Sequence, residues 1–239
     1  MTRALFPLIS CLFWGIALLI PACTFTAGDT QGLSNGRPEK IKLPPPALDS
    51  SYSVERAIFE RVSQRSFSER PLALEQVAQL LWAAQGRGVD TVTGASRTAP
   101  SAGATYPMEI YLVAGKVNGL APGVYRYNYA EHSLVKTASE DRREKLAAAA
   151  LNQRFVAEAP ASIVLAADYK RTTSRYGERG IRYVHMEVGH ITQNIYLQCG
   201  SLSLGAVAVG AFHDEKVKAL LEIEEEPLMI IPLGEISSR

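Results

Sequence analysis

Between Arg179 and Leu202 the apolar residues Ile181, Val184, Val188, Ile191, Ile195 and Cys199 recur every three or four positions. A strand, with its period of two, cannot present that series on one side, whereas a helix gathers it into a single stripe. At 1.5 Å per residue the segment is about 36 Å long, roughly the width of a whole domain. The remaining elements therefore have to be arranged around it, and the spacing predicts a long, largely buried central helix.

Shorter elements surround this one in sequence. Ser53 precedes Val54, Ala57, Ile58 and Val62, which predicts a helix capped by Ser53 and running to about Gln64. A second helix follows Leu72, with Leu74, Val77, Ala78, Leu81 and Ala84 on one face, and stops at Gly86 and Gly88. The Ala-, Lys-, Glu- and Arg-rich stretch from Glu140 to Leu151 reads as a surface helix, and Asp214 to Leu221 as another. Strands are expected at Glu109 to Val113, Ala161 to Ala167, Gly205 to Val209 and Leu228 to Leu233. Gly123 to Tyr127 and Ser133 to Lys136 should form an antiparallel pair. Helices and strands do not alternate strictly, so the fold class is α+β with a mixed or antiparallel central sheet flanked by helices. No G-x-G-x-x-G turn joins a strand to a helix, which argues against a nicotinamide-binding Rossmann domain.

The N-terminus constrains location. Ala4 to Ile20 is an apolar run broken by Pro7 and Gly15 and preceded by Arg3, shorter than the ~20 residues of a membrane span. It reads as a signal peptide over residues 1–22. Leu19-Ile20-Pro21-Ala22-Cys23 resembles a bacterial lipobox with Pro21 an unusual occupant, and makes Cys23 the candidate lipidation site. Plain secretion with later cleavage, or an uncleaved anchor, are the other readings. Residues 23–49, rich in Gly, Ser and Pro and including Pro44-Pro45-Pro46, read as a flexible tether, leaving residues 50–239 as one domain. An exported protein, periplasmic or in the cell envelope and anchored at Cys23, is the expectation. With 25 Lys and Arg against 24 Asp and Glu, the net charge of +1 supplies no field for nucleic acid. Once Cys11 leaves with the signal and Cys23 carries lipid, Cys199 has no disulfide partner.

Three segments could carry chemistry. Arg61-Val62-Ser63-Gln64-Arg65 places two guanidiniums four residues apart, with a hydroxyl between them, at a predicted helix end. That set suits a phosphate, although a solvated basic helix end has the same pattern. Pro100-Ser101-Ala102-Gly103-Ala104-Thr105-Tyr106-Pro107 has little bulk ahead of a strand, so its backbone could approach a flat ligand closely, as could that of Gly205 to Phe212. A plain loop and a buried Ala/Val strand are their bland readings. His132, His185, His190 and His213 make no metal motif, since Glu187 does not complete His-Glu-x-x-His; His190 reads as a core or interface residue.

These segments, in this order, resemble the FMN-dependent nitroreductase family and its branch related to the azoline (thiazole- and oxazole-forming) dehydrogenases. The resemblance also rests on Leu80-Leu81-Trp82-Ala83-Ala84-Gln85-Gly86, Arg175-Tyr176-Gly177, Glu187-x-Gly189-His190-x-x-Gln193-Asn194 and Ile231-Pro232-Leu233-Gly234. It implies a homodimer with FMN at the subunit interface. Arg61, Ser63 and Arg65 would hold the phosphate and pyrimidine edge, with Pro100, Ser101, Ala102 and Gly103 against the isoalloxazine. Val209 and Gly210 would face its redox centre, and Arg239 would be a third cation. Tyr106, Tyr176 and Phe212 are candidates to line the substrate pocket.

One departure stands out: the branch has a catalytic lysine before the tyrosine, where this chain has Arg175. Arginine stays protonated and cannot serve as a tunable base, which leaves Tyr176 as the remaining acid or base. Two functions follow. One is an FMN oxidoreductase transferring two electrons in ping-pong fashion with a small flat or ring-containing substrate, an azoline-type peptide dehydrogenase being its variant. The other is a non-catalytic exported binding or structural protein of the same fold.

Overall fold

In a computed structural model of the chain, residues 39–89 and 96–237 are described. Seven strands form one sheet, β1 (Lys40–Lys42), β2 (Met108–Ala114), β3 (Gly123–Asn128), β4 (Ser133–Ser139), β5 (Ala161–Ala167), β6 (Leu204–Ala206) and β7 (Glu226–Glu235). Their order across the sheet is β1-β4-β3-β2-β5-β7-β6, and every neighbouring pair is antiparallel. The helices are α1 (Val54–Glu60), α2 (Leu74–Gln85), α3 (Arg143–Ala149), α4 (Arg154–Glu158), α5 (Tyr169–Tyr176), α6 (Arg179–Ser201) and α7 (Asp214–Leu221). The fold is thus α+β, and of the two sheet types expected it is the antiparallel one.

Strand alternation divides the core in two. Ile110 and Leu112 of β2 and Ile163 and Leu165 of β5 point to one face, where α2 and α6 pack through Val77, Leu81, Val184, Ile191 and Ile195. Tyr111, Val113, Val164 and Ala166 point to the other, against Leu146 of α3, Val156 of α4 and Val217 of α7. The 23-residue α6 is the long helix expected. It is not buried all round, however: Ile181, Arg182, His185, Met186, Gly189, His190 and Gln193 form an exposed flank. Among the described residues no helix is long and apolar enough to cross a membrane.

Besides β6, which stops at Ala206 and not Val209, and α3, which is confined to Arg143–Ala149, three features differ from the sequence reading. α1 ends at Glu60, four residues before Gln64, and of its stripe only Ala57 is buried, with Val54 and Ile58 exposed. The chain beyond is drawn onto the sheet instead, where the Gln64 amide donates to Ala206 O at 2.9 Å. The second difference lies in residues 39–49, placed in the tether, which belong to the domain. β1 pairs with β4, Leu43 is buried, and Gln79 both donates to and accepts from the Ala47 backbone, at 3.0 and 2.8 Å. Third, the segment after Asp168, to which the sequence reading assigned no element, is the helix α5. Asp168 caps it by accepting from the Lys170 amide, and Gly177 ends it with φ 57°. The signal peptide, Cys23 and Arg239 lie outside the described residues.

Candidate functional site

The residues singled out by sequence gather at two places. The first begins where α1 stops. Arg61 leaves the helix with φ −59° and ψ 117°, and the chain pairs further along, at Phe67 with Ile236. Arg61 and Ser63, two apart, converge on one ring: the Arg61 guanidinium lies 5.3 Å from the centre of Tyr196 and the Ser63 hydroxyl 3.2 Å from the Tyr196 hydroxyl. The shared side thus arises because alternate residues of an extended chain face one way, not from helical i, i+4 spacing. Arg65 lies 5.9 Å from the Phe155 ring. Among the described residues neither Arg61 nor Arg65 has a carboxylate partner.

Tyr196 ties this cluster to the turn after β6, because its hydroxyl accepts the Ala208 amide at 2.7 Å. Val209 and Gly210 then behave differently. The Val209 side chain is buried and its amide donates to Ile230 O at 2.8 Å, so it has no donor left for a ligand. Gly210 is exposed, its amide is unbonded among the described residues, and nothing lies within 4 Å of where a Cβ would be. Of the two expected donors, Gly210 alone is available. A cavity of about 240 Å³ adjoins Arg61, Gln64 and Tyr196, below the ~300 Å³ at which small-molecule sites begin.

The second place is built on Pro100, Ser101, Ala102 and Gly103. Ala102–Ala104 form a short 3₁₀ turn, and Gly103, Ala104 and Tyr106 have φ of 58°, 54° and 44°. Left-handed backbone at two residues that bear a Cβ costs on the order of 1 kcal/mol each, so neighbours must hold the loop. α5 does part of this: the Arg175 guanidinium donates to Gly103 O at 3.1 Å, and the Thr105 and Thr172 hydroxyls are 2.8 Å apart. A Cβ at Gly103 would lie 2.3 Å from the Tyr176 hydroxyl, so the loop meets Tyr176 only as glycine. α5 in turn sits against α6 because Gly180 lets the Thr173 backbone approach, and Tyr176 packs edge-on to Tyr183 at 5.1 Å.

Behind the loop is a network that the sequence reading did not pick out. Glu187 is buried in the middle of α6 and accepts from Gln85 Nε2 at 2.9 Å. Ser101 Oγ accepts the Tyr106 amide at 2.9 Å, and Gln85 Oε1 accepts from Arg97 at 2.5 Å. The Arg97 guanidinium lies 4.4 Å from the ring of the half-buried Tyr106 and 3.7 Å from that of Tyr129. Burial pushes the Glu187 carboxyl up to about 7, against the smaller opposing pull of Ser101, Arg97 and Gln85. The signal was present: a glutamate one turn from Val184 and Ile191 sits on the apolar stripe. Phe212 is half-buried against the second core cluster, while Tyr176 remains partly exposed. His190 is exposed, which removes the core reading.

The two places lie toward opposite ends of α6, at Tyr183 and Tyr196, about 20 Å apart at 1.5 Å per residue. One chain does not bring them together. The model of the nitroreductase family matches residues 58–235. This chain belongs to the nitroreductase family. The chain is 44% identical over 211 residues to MJ1384 of Methanocaldococcus jannaschii, a protein named as a nitroreductase, covering 87% of this chain and 98% of the relative. It is 27% identical over 192 residues to the trifolitoxin operon protein TfxC of Rhizobium leguminosarum bv. trifolii, covering 74% of this chain and 54% of TfxC. Among solved structures, one described as a nitroreductase of Ralstonia eutropha JMP134 superimposes with a TM-score of 0.72 at 29% identity, over 84% of this chain and 90% of the other. Membership of this family, on a matching α+β scaffold, supports an oxidoreductase.

Proposed function

We propose that this nitroreductase-family chain is an FMN-dependent oxidoreductase that works as a homodimer on a small flat or ring-containing substrate. The observation that carries this reading is the pair of guanidiniums, Arg61 and Arg65, flanking the Ser63 hydroxyl with no carboxylate to neutralise them among the described residues. A phosphate of charge near −2 calls for more than one cation and for forked donors. Small groups fit beside it: Gly210 offers a free amide and no side chain, where a Cβ-bearing residue would narrow the approach. When bound, flavin supplies two-electron transfer in two half-reactions. The protein's part is to hold the phosphate, to donate from Gly210 to the ring edge, and to present the closely held loop at Ser101 and Gly103.

The separation of the two places supports the dimer. The Arg61 cavity alone is too small for a nucleotide, so a second copy must bring its loop to complete the site. An uncovered apolar face suits such a partner: Val54, Ile58 and Phe59 of α1 are exposed beside a cavity of about 900 Å³ lined by Leu48, Trp82 and Leu197. Purified protein is expected to be yellow and dimeric; colourless monomer that takes up no FMN on reconstitution would sink the reading.

The azoline-type variant is opposed by Arg175, which is always charged and whose guanidinium is engaged by Gly103 O. Arg175→Lys followed by an assay of azoline oxidation tests whether the arginine is the obstacle. Export with a lipid anchor at Cys23 is part of the proposal and is tested by fractionation: Cys23→Ser should move the protein from the membrane to the soluble fraction.

A further inference from the structure

We propose that Tyr196 is a positioning residue for the phosphate grip: its hydroxyl, fixed by the Ala208 amide, frees the Ser63 proton for a phosphate and joins that grip to the turn carrying Gly210. The inference rests on the FMN reading for the identity of the phosphate's owner. Its geometry stands on three contacts made by one half-buried side chain of α6. The Tyr196 hydroxyl accepts the Ala208 amide at 2.7 Å and lies 3.2 Å from the Ser63 hydroxyl, while the ring centre lies 5.3 Å from the Arg61 guanidinium.

The direction of the proton chain follows from what each group can give. A backbone amide only donates, so Tyr196 accepts from Ala208 and keeps its own proton to donate. An ionised phosphate presents acceptor oxygens, so Ser63 must donate to it, and the bond between the two hydroxyls must then be donated by Tyr196. The order is Ala208 N–H, Tyr196 O–H, Ser63 O–H, anion, and each bond polarises the next. The ring has a second role. It holds the Arg61 guanidinium by attraction to its face, which consumes none of the forked N–H donors. The turn is pinned from the same side: Ala208 by Tyr196 at 2.7 Å, Val209 by Ile230 O at 2.8 Å, and Ala206 O by the Gln64 amide at 2.9 Å. The next amide along, that of Gly210, is therefore placed by the ring that also places Ser63 and Arg61.

Apoprotein is titrated with FMN and with riboflavin, which lacks the phosphate, in wild type, Tyr196→Phe, Ser63→Ala and the double variant. Tyr196→Phe keeps the ring and loses both hydroxyl bonds. It should lower the preference for FMN over riboflavin about tenfold, Ser63→Ala should lower it as much, and the double variant no further, because both act through one bond. Tyr196→Leu, which also loses the ring, should lower it more. A merely structural tyrosine would weaken both flavins alike and add to Ser63→Ala. A second arm needs no flavin: exchange of the Ala208 amide is followed in flavin-free full-length protein with and without inorganic phosphate. Phosphate should slow it about twofold in wild type and leave Tyr196→Phe unchanged. An unaltered flavin preference in Tyr196→Phe, additive losses in the double variant, or wild-type Ala208 exchange indifferent to phosphate overturns the proposal. If the wild type binds no flavin while phosphate still slows the Ala208 amide, the FMN reading fails and the role of Tyr196 stands.

Discussion

The Arg61 cluster and the Ser101 loop solve opposite problems. Around Arg61 the chain is open and cationic, its guanidiniums resting on the Tyr196 and Phe155 rings without ion pairs among the described residues. Around Ser101 the chain is tight, with two residues other than glycine at positive φ, hydrogen bonds to α5 through Arg175 and Thr172, and the Tyr106 amide bonded back to Ser101 Oγ. An open cluster supplies attraction and is completed by its ligand. A strained loop supplies shape and must be completed by the protein beforehand. Substitutions should therefore act on binding at one place and on stability at the other.

The largest effect belongs to the open side. Arg61→Ala with Arg65→Ala should weaken FMN binding by ~10³-fold, about 4 kcal/mol, from lost charge-assisted bonds. Its melting temperature without flavin should stay near wild type, because neither side chain pairs with a carboxylate there. A large fall in apoprotein stability would erase the contrast between the two places.

Next comes the buried acid. A carboxyl raised from 4.5 to about 7 binds its proton more tightly when folded. The folded state is therefore fully favoured below about pH 4.5, loses stability as the pH rises toward 7, and stays at the lower level above. Glu187→Gln removes that loss, and calorimetry at pH 8 should find the apoprotein stabilised by up to about 3 kcal/mol, with no difference near pH 4.

Gly103→Ala comes third. The added Cβ meets the Tyr176 hydroxyl in a left-handed backbone, and the cost should be about 2 kcal/mol. Adding Tyr176→Phe should recover only the steric share, as read by urea unfolding. Smallest is Arg175→Ala, worth about 1 kcal/mol or less, since the bond to Gly103 O comes from an exposed side chain. Chemical unfolding should barely register it while proteolysis of the loop quickens.

Much of the scaffold could be read from period alone. α7 and β5 fall on the expected residues, and α6 ends one residue from its expected limit. α5 escaped because Lys170, Arg171, Thr172, Thr173 and Ser174 carry no apolar stripe. Its helix rests on the Asp168 cap and on Gly180 admitting its backbone to α6. α1 overran because Val54, Ile58 and Val62 do form a stripe, but one that faces outward, so burial did not extend the helix. At the candidate site, Arg61, Ser63, Arg65 and the small-residue loop were visible as local motifs. Glu187 stood out only as an acid on the apolar stripe of α6, and its bond to Gln85 was not legible, since the two meet across 102 residues once α2 and α6 are packed together. Nor does any spacing reveal that the amide of Val209 is already taken by Ile230.

The two rims of the sheet deserve comparison for a different reason. β1 closes one with three residues, Lys40-Ile41-Lys42, and after Leu43 come three prolines that cannot donate to a further strand. At the other rim the guard is the Arg61 segment itself: Gln64 bonds Ala206, Gly205 admits the Gln64 side chain, and Ser68 donates to Glu235 at 2.9 Å. The stretch proposed to grip a phosphate thus also keeps unpaired backbone from recruiting a neighbouring molecule. Anything that pries it loose exposes a template for strand addition, so occupancy by an anion should double as protection against aggregation.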